Sequence, residues 1–257
     1  MTVNTKRSNY FDLPLPRILA HRGLALDAPE NTLLAFASAL AAGATYVETD
    51  VHASRDGIAV ISHDADLSRL VGRDTRVSDL SLAELERVDL GAGQAFCSLA
   101  SALDTFPTTR FNIDIKAGDA AAPSARAIAE AHATPRVLVT SFSERRRRAT
   151  TRLLPGVATS ASAVPVALAV ASAFLGLTTV SRAILRGIGA VQVPENWMLG
   201  PVKLRVITTR FIAHMHRIGV EVHVWTINDP DDMRRLLDAG VDGLVTDRVD
   251  IALRTIG

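Results

Sequence analysis

The sequence predicts an α/β fold, a (β/α)8 TIM barrel formed by all 257 residues as one domain. Three observations support this prediction. Roughly eight short, apolar, β-prone segments alternate with helical segments, the chain length suits one such barrel, and no linker divides the chain. Because hydrophobic residues make up 48% of the chain, one large core can form. We therefore expect polar side chains at the carboxyl ends of the strands to form a site.

The predicted elements follow one another in a nearly regular order. Residues 1–16 are interpreted as an N-terminal arm, because Asp12, Pro14 and Pro16 break regular structure. Strands are predicted at 17–21, 45–51, 58–62, 110–115, 136–140, 157–160, 189–193, 220–226 and 241–246. Helices are predicted at 31–42, 98–106, 122–133, 143–153, 164–186, 206–218, 230–239 and 248–255. A loop that contains Trp197 follows the strand at 189–193.

Residues 64–100 interrupt this alternation. Ser81 and Glu84 form a capping box that begins a short helix, and the glycines at 91 and 93 end it. We interpret 64–100 as a small insertion after the second strand that lies over the site.

The most apolar part of the sequence is residues 164–180. The segment is short for a membrane span and contains Pro165 and Gly176. We predict a buried barrel helix, with a helix that dips into a membrane surface and a true span as the alternatives.

Charge and cysteine content exclude several classes of protein. A net charge of +1 provides no general attraction to nucleic acid, so no nucleic-acid partner is expected. Cys97 is the only cysteine, which rules out an internal disulfide and a cysteine-based zinc site. No apolar run follows Lys6 and Arg7, so we expect no signal peptide and a cytoplasmic protein. The basic run 145–148 is interpreted as a solvated helix face, with a phosphate-binding or membrane patch as the alternative.

Acidic side chains with metal-binding chemistry lie at the ends of two predicted strands. Glu48 and Asp50 are two residues apart, so both point to the same face, and their mutual repulsion favours a bound cation. Asp114 and Lys116 repeat this spacing on another strand. The carboxylates suit a hard divalent ion, either Mg²⁺ or Ca²⁺, with Asp114 as a third ligand. Lys116 either holds an anionic group or keeps the carboxylates ionised.

Two histidines, His21 and His63, end predicted strands near these carboxylates. Imidazole exchanges protons near neutral pH, and Arg22 offers a planar pair of donors to phosphate oxygens. A metal, an arginine, a lysine and two histidines together indicate phosphoryl chemistry. Trp225 either lines the substrate pocket or packs in the core.

Other polar residues receive no direct role. Glu30 and Asn31 either begin a helix or support the site from behind, and Asp242 and Asp247 are interpreted as turn or supporting residues. The remaining singled-out histidines are interpreted as structural: His52, His214, His216 and His223.

Taken in order, the motifs resemble the glycerophosphodiester phosphodiesterase family. The matching segments are H-R-G at 21–23, P-E-N-T at 29–32, E-T-D at 48–50, H-D at 63–64, I-D-I-K at 113–116, V-W-T-I-N at 224–228 and V-D-G-L-V-T-D at 241–247. Each motif alone is weak, whereas the ordered set covers nearly the whole chain and is highly specific.

This resemblance implies a barrel that hydrolyses glycerophosphodiesters to glycerol 3-phosphate and an alcohol. By position, His21 and His63 are similar to the acid/base pair of the family, and Arg22 and Lys116 to its phosphate-binding cations. The divalent metal would be held by three acidic residues: Glu48, Asp50 and Asp114. At the third position the family often has Glu, so Asp114 is one methylene shorter.

The apolar region 157–186 favours a substrate that carries an acyl chain. The first alternative is therefore a lysophospholipase D that acts on lysolipids at a membrane, with peripheral membrane contact through 164–180. A non-catalytic barrel that binds phosphoesters and a lyase that leaves a cyclic phosphate are further alternatives. The oligomeric state stays open.

Overall fold

Thirteen strands are formed in the computed structural model, which describes residues 9–199 and 202–256. In chain order they are β1 (Arg17–His21), β2 (Tyr46–Ala53), β3 (Ala59–Ile61), β4 (Asp66–Leu67), β5 (Arg73–Arg76), β6 (Arg110–Ile115), β7 (Val137–Thr140), β8 (Ala158–Thr159), β9 (Ala190–Pro194), β10 (Asn196–Leu199), β11 (Val202–Arg205), β12 (Glu221–Trp225) and β13 (Gly243–Thr246).

Eleven α-helices alternate with these strands over the described residues. They are α1 (Leu33–Ala41), α2 (Ser68–Val71), α3 (Leu82–Leu85), α4 (Leu99–Thr105), α5 (Ala121–Glu130), α6 (Glu144–Thr151), α7 (Ala163–Phe174), α8 (Thr178–Ile184), α9 (Thr209–Arg217), α10 (Pro230–Asp238) and α11 (Val249–Ile256). Short 3-10 turns are formed at Asn9–Phe11, Val77–Asp79 and Thr134–Arg136.

Eight parallel strands form the barrel, in the order β8, β7, β6, β2, β1, β13, β12 and β9. A parallel bridge between Ser160 and Ala190 joins the two ends, so the barrel is nearly closed. This confirms the predicted (β/α)8 fold. The strands are buried on both faces, and most of the apolar core lies between them and the surrounding helices.

One of the predicted strands lies outside the barrel. β3 pairs antiparallel with β2, because the turn at Asp56 and Gly57 reverses the chain. The amide of Ser62 then donates to the Asp50 carbonyl at 3.0 Å. This return brings His63 beside the carboxyl end of β2, so the predicted strand positions a site residue without being one of the eight barrel strands.

The prediction of a loop around Trp197 was wrong. β10 and β11 form an antiparallel hairpin in which Trp197 is paired with Leu204. Four-residue segments give a weak sequence signal, and backbone pairing with the partner segment decides the conformation. The next helix, predicted from 206, begins at Thr209, because the Thr208 hydroxyl accepts from the Phe211 amide at 3.1 Å and caps it.

Residues 64–98 form a small excursion with a core of its own. The buried residues of this core are Val60, Leu67, Val77, Leu85, Val88 and Phe96. The predicted capping box is present, since the Ser81 hydroxyl accepts from the Glu84 amide and the Glu84 carboxylate accepts from the Ser81 amide. Arg69 of α2 pairs with Glu30 and Asp64, which connects the excursion to the loop after β1.

The apolar stretch 164–180 is divided between α7 and α8. Pro165, Val166, Ala169 and Ala173 face the core, as predicted for a barrel helix, but the opposite side of α7 is exposed. Among the described residues, no helix has the length and apolar character needed to cross a membrane.

The basic run 145–148 is only partly the solvated face that was predicted. Arg145 and Arg148 are exposed, whereas Arg147 is buried and pairs with Glu144 at 2.7 Å. Arg146 donates to the Ser141 hydroxyl and to the Lys116 carbonyl. The short loop after β7 brings α6 close to the neighbouring strand, so two of the guanidinium groups find acceptors inside the protein.

The amino-terminal end of the barrel is closed by a buried ion pair. Arg17 is 1% exposed, and its Nε and Nη2 donate to the Glu221 carboxylate at 2.7 and 2.9 Å. Arg17 also donates to the Tyr46 hydroxyl and the Phe11 carbonyl. Burial alone would raise the pKa of Glu221, but hydrogen bonds from Arg17 and His223 lower it to about 2. The described part of the predicted arm therefore packs beneath the barrel.

We expect the substitution Arg17→Met to lower the free energy of unfolding by about 3–5 kcal/mol, because it removes the guanidinium that neutralises a buried carboxylate. Urea unfolding followed by circular dichroism measures the loss. Arg55→Met is the matched control, since the Arg55–Glu84 pair is exposed and its loss should change the free energy of unfolding much less. Equal losses in both variants would contradict this account.

Candidate active site

A cavity of about 470 Å³ opens at the carboxyl ends of the barrel strands. All the predicted site residues line it: His21, Arg22, Glu48, Asp50, His63, Asp114, Lys116 and Trp225. The parallel register explains the convergence, since His21 is level with Glu48 on the neighbouring strand and Asp50 is level with Asp114. Side chains from positions as far apart in the sequence as 21 and 225 therefore line one cavity.

A tight turn after β1 aims His21 and Arg22 into the cavity. Arg22 adopts φ 57 and Gly23 φ 86, both in the left-handed region. A Cβ atom at Gly23 would lie 2.6 Å from the Ala35 carbonyl carbon, so only glycine fits against α1. The Arg22 amide donates to the Glu48 carbonyl at 3.0 Å, which connects the turn to β2.

The carboxylates of Asp50 and Asp114 share the ammonium group of Lys116. The Lys116 Nζ lies 2.8 Å from Asp50 Oδ1 and 2.8 Å from Asp114 Oδ2. Burial by itself raises the pKa of Asp50, but Lys116, Arg22 and Asn31 together hold it below its ordinary value. Burial lowers the pKa of Lys116, and the two carboxylates outweigh this effect and raise it to about 12. Lys116 is therefore a permanent cation.

Glu48 and Asp114 retain capacity for a further cation. Burial, and then the charge of Asp50, raise the pKa of Glu48 to about 8. Burial also raises the pKa of Asp114, whose Oδ1 is buried and has no hydrogen-bond partner within residues 9–199 and 202–256. These oxygen donors fit a hard divalent ion. In the described part of the chain, no group of three or more His, Cys, Asp or Glu side chains is arranged so that it could hold a metal ion. At this site Lys116 lies between Asp50 and Asp114 and pairs with both.

Each cavity histidine is paired with a carboxylate through Nδ1. His21 Nδ1 lies 2.6 Å from Asp247 Oδ1, and His63 Nδ1 lies 2.7 Å from Asp64 Oδ1. Asn228 holds Asp247 by donating to its other oxygen at 2.7 Å. A carboxylate acceptor on Nδ1 leaves Nε2 as the atom that exchanges a proton with a ligand. His21 Nε2 is 3.9 Å from Glu48 Oε2.

The environment of His21 favours its protonated form. Burial lowers the pKa of His21, but the hydrogen bond to Asp247 and the charge of Glu48 outweigh this effect and raise it above its ordinary value. His21 is therefore suited to donate a proton.

Neither of these two carboxylates was predicted to pair with a histidine. Asp64 directly follows His63, so its adjacency was the available signal. Asp247 was interpreted only as a turn or supporting residue; it follows β13, which pairs in parallel with β1, and this register puts it beside His21. That relation between strands far apart in sequence cannot be obtained from spacing.

The P-E-N-T motif supports the site as well as beginning α1. Glu30 pairs with Arg22 at 3.0 Å. Asn31 donates to Asp50 Oδ2 at 3.0 Å and accepts from the Thr49 hydroxyl at 2.8 Å. The Thr32 hydroxyl accepts from the Ala35 amide and caps the helix. The segment therefore begins α1 through Thr32 and supports the site through Glu30 and Asn31, so both roles predicted for it are present.

Part of the cavity wall is apolar. Phe142 and Trp225 meet edge to face with their ring centroids 5.9 Å apart. The apolar wall also includes Ala161, Ala163, Val166, Val193, Pro194 and Trp197. Trp225 therefore lines the pocket while also packing partly against the interior of the barrel. A ligand with an anionic group and a carbon chain matches this division.

Four other histidines make structural contacts, and the cysteine is buried. His216 pairs with Asp242 at 2.8 Å, His214 contacts Ser181 at 2.8 Å, and His52 contacts the His63 carbonyl. His223 contacts Glu221 at 3.0 Å within the barrel. Burial raises the pKa of Cys97 to about 12, so its thiol is not a nucleophile at neutral pH.

Comparison with known proteins points to one family. The sequence model of the glycerophosphoryl diester phosphodiesterase family matches residues 21–251. A probable glycerophosphodiester phosphodiesterase 2 of Mycobacterium tuberculosis is 42% identical over 235 residues, which cover 91% of this chain and 88% of that protein. A glycerophosphodiester phosphodiesterase of Caldanaerobacter subterraneus is 29% identical, with 90% and 93% covered.

The barrel is also similar to that of a solved phosphodiesterase from Oleispira antarctica in complex with the product sn-glycerol-3-phosphate. The TM-score is 0.75 at 24% identity, and the match covers 94% of this chain and 97% of that chain. At this level of identity the likeness shows the common fold.

We expect Asp247→Asn to lower the pKa of His21, because the substitution removes the carboxylate that stabilises the imidazolium. A titration of the His21 ring resonances by NMR measures the shift. Asp64→Asn is the control, since Asp64 pairs with the other histidine and should leave the His21 titration unchanged. An unchanged His21 pKa in Asp247→Asn would contradict the assigned pairing.

Proposed function

Since the chain belongs to the glycerophosphoryl diester phosphodiesterase family, we propose that it hydrolyses glycerophosphodiesters to glycerol 3-phosphate and an alcohol. Family membership confirms the resemblance predicted from the motifs. The observation that carries the proposal is the meeting of His21, His63, Arg22 and Lys116 in one cavity, with each imidazole held by a carboxylate.

The cationic side chains bind and orient the phosphodiester. Arg22 and Lys116 both line the cavity, and both are held by buried or half-buried carboxylates, so their positions are set before substrate binds. Guanidinium and ammonium donors stabilise the charge that develops on the non-bridging oxygens as the phosphorus is attacked.

The two histidines move the protons. His21, whose pKa is raised by Asp247 and Glu48 against the effect of burial, protonates the leaving alkoxide. His63 accepts the proton of the attacking hydroxyl. If water attacks, glycerol 3-phosphate forms directly. If the glycerol C2 hydroxyl attacks, a cyclic phosphate forms, and water then opens it with the two histidines in exchanged roles. Asp247 and Asp64 hold the two rings so that Nε2 of each is the exchanging atom.

A divalent cation, Mg²⁺ or Ca²⁺, belongs to this proposal. Glu48, Asp50 and Asp114 would hold it, because they are oxygen donors on adjacent strands with negative charge that Lys116 offsets only in part. When bound, the cation supplies further neutralisation of the phosphodiester charge.

The apolar cavity wall supports a second candidate function, hydrolysis of lysolipids by a lysophospholipase D reaction. Phe142, Val166 and Trp225 line the same cavity as the charged groups and provide apolar contact for an acyl chain. The same phosphodiester chemistry then acts on a substrate that resides in a membrane. The ratio of kcat/KM for a lysophospholipid and for glycerophosphocholine separates the two candidates.

We expect His21→Asn and His63→Asn each to reduce kcat on glycerophosphocholine by at least ~10²-fold, since each removes one proton-transfer group. The assay measures released glycerol 3-phosphate. His132→Asn is the matched control, because His132 is exposed and Asn tolerates its left-handed backbone at φ 49. If both site variants kept turnover within tenfold of the wild-type protein, the acid/base assignment would be wrong.

We expect a chelator to abolish turnover and added Mg²⁺ or Ca²⁺ to restore it. Because the pKa of Glu48 is raised to about 8 in the absence of a cation, protons compete for this ligand below pH 8. Cation affinity measured by calorimetry should therefore weaken by up to about tenfold for each pH unit below 8. Asp114→Asn should weaken binding, whereas the exposed Glu86→Gln should not. Affinity independent of pH would contradict a role for Glu48.

A further inference from the structure

We propose that α7 and α8 form a docking surface for an anionic lipid bilayer, placed beside the mouth of the cavity. The proposal rests on the proposed function and extends it by naming the surface on which the enzyme meets its substrate. Its core is the outward apolar face, which consists of Val164, Leu168, Phe174, Leu175, Leu177 and Val180.

The outward apolar face is unusual for a barrel helix. Val164, Leu168, Phe174 and Leu175 are 65%, 51%, 76% and 66% exposed, although the inner side of α7 is already packed in the core. A surface helix normally turns charged residues to water, and a helix that is apolar all round is normally buried. Six of the thirteen exposed large hydrophobic residues of the described chain belong to this face, and such clustering marks an interaction site.

The charged side chains of α7, α8 and the turn that follows are all arginines. Residues 163–194 contain no Asp or Glu but two arginines, at positions 182 and 186. Arg182 and Arg186 are exposed on or directly after α8, which packs against α7. Arg210 of α9 donates to the Phe174 carbonyl at 2.8 Å and lies 6.0 Å from its ring centroid. Guanidinium groups around an apolar face complement anionic phosphate headgroups.

This charge pattern favours a bilayer over a second copy of the chain. Two copies that met through the outward apolar face would bring Arg182, Arg186 and Arg210 of each copy together, and α7 and α8 contain no carboxylate that could neutralise them. Like charges placed across an interface oppose association. An anionic lipid surface supplies the missing negative charge and the apolar phase together.

The outward apolar face continues into the cavity. Ala163 and Val166, in the first turn of α7, line the cavity, while Val164 and Leu168 of the same helix face outward. The Ala163 amide donates to the carbonyl of Phe142 at 3.1 Å, and the exposed Phe142 ring borders the cavity. A lipid held by its acyl chain on α7 therefore has its phosphate near Lys116, whose Nζ is 6.0 Å from the Phe142 ring centroid.

Vesicle flotation of the full chain tests the docking surface. We expect the wild-type protein to float with vesicles of phosphatidylcholine and phosphatidylglycerol and much less with phosphatidylcholine alone. Leu168→Glu/Phe174→Glu should weaken binding at least ~10-fold, because it puts charge where the apolar phase is contacted. The matched control is Leu15→Glu/Ile256→Glu, since Leu15 is also 51% exposed but lies before β1, at the opposite end of the barrel.

A second pair of variants tests the role of charge. Arg182→Gln/Arg186→Gln should remove most of the preference for anionic vesicles, whereas Arg87→Gln/Arg254→Gln, with the same change in net charge on other surfaces, should keep it. Circular dichroism verifies that each variant is folded. Leu168→Ser/Phe174→Ser replaces the Glu variant if that variant fails to fold.

Turnover assays separate failure of the docking surface from failure of the proposed function. The Leu168→Glu/Phe174→Glu variant should hydrolyse soluble glycerophosphocholine at the wild-type rate and lose at least ~10-fold on lysolipid presented in anionic vesicles. Wild-type protein that hydrolyses the soluble substrate but does not float would overturn the docking surface alone. Dimers in solution that the same variant dissociates, without vesicle binding, would also overturn it.

Discussion

The parallel register of β1, β2 and β6 is the constraint on which the site depends. It puts Glu48, Asp50 and Asp114 side by side at the carboxyl ends of buried strands, where burial and mutual repulsion disfavour their charged forms. Cations beside such a cluster stabilise its charged form. Lys116 and Arg22 provide part of this positive charge, and the same positive groups are available to a phosphodiester.

The two ends of the barrel have different roles: one stabilises the fold and the other forms the site. At the amino-terminal end, the bidentate Arg17–Glu221 pair is buried and satisfied, and it stabilises the closed sheet. At the other end, Glu48 and Asp114 remain incompletely neutralised, which makes the site receptive to ligands. This division follows from the parallel direction of the strands. The loops after their carboxyl ends form the active-site face of such a barrel, and the opposite face serves stability.

The cavity also has two chemically distinct sides. β1, β2 and β6 supply the charged groups, while Trp225 and the start of α7 supply apolar surface. The excursion at 64–98 contributes through Arg69, which pairs with Glu30 and Asp64 behind Arg22 and His63. The charged side suits the phosphodiester group that defines the substrates of the family, and the apolar side provides contacts for carbon atoms attached to it.

The sequence by itself determined the barrel and predicted the eight residues that line the cavity, because apolar periodicity and ordered motifs are local properties of the chain. It also predicted that Glu48 and Asp50 share a face, which follows from their spacing on one strand. Only the tertiary structure paired Asp247 with His21, formed the β10–β11 hairpin and exposed the outer side of α7. Each of these depends on which distant segments become neighbours, and strand register and helix packing decide that.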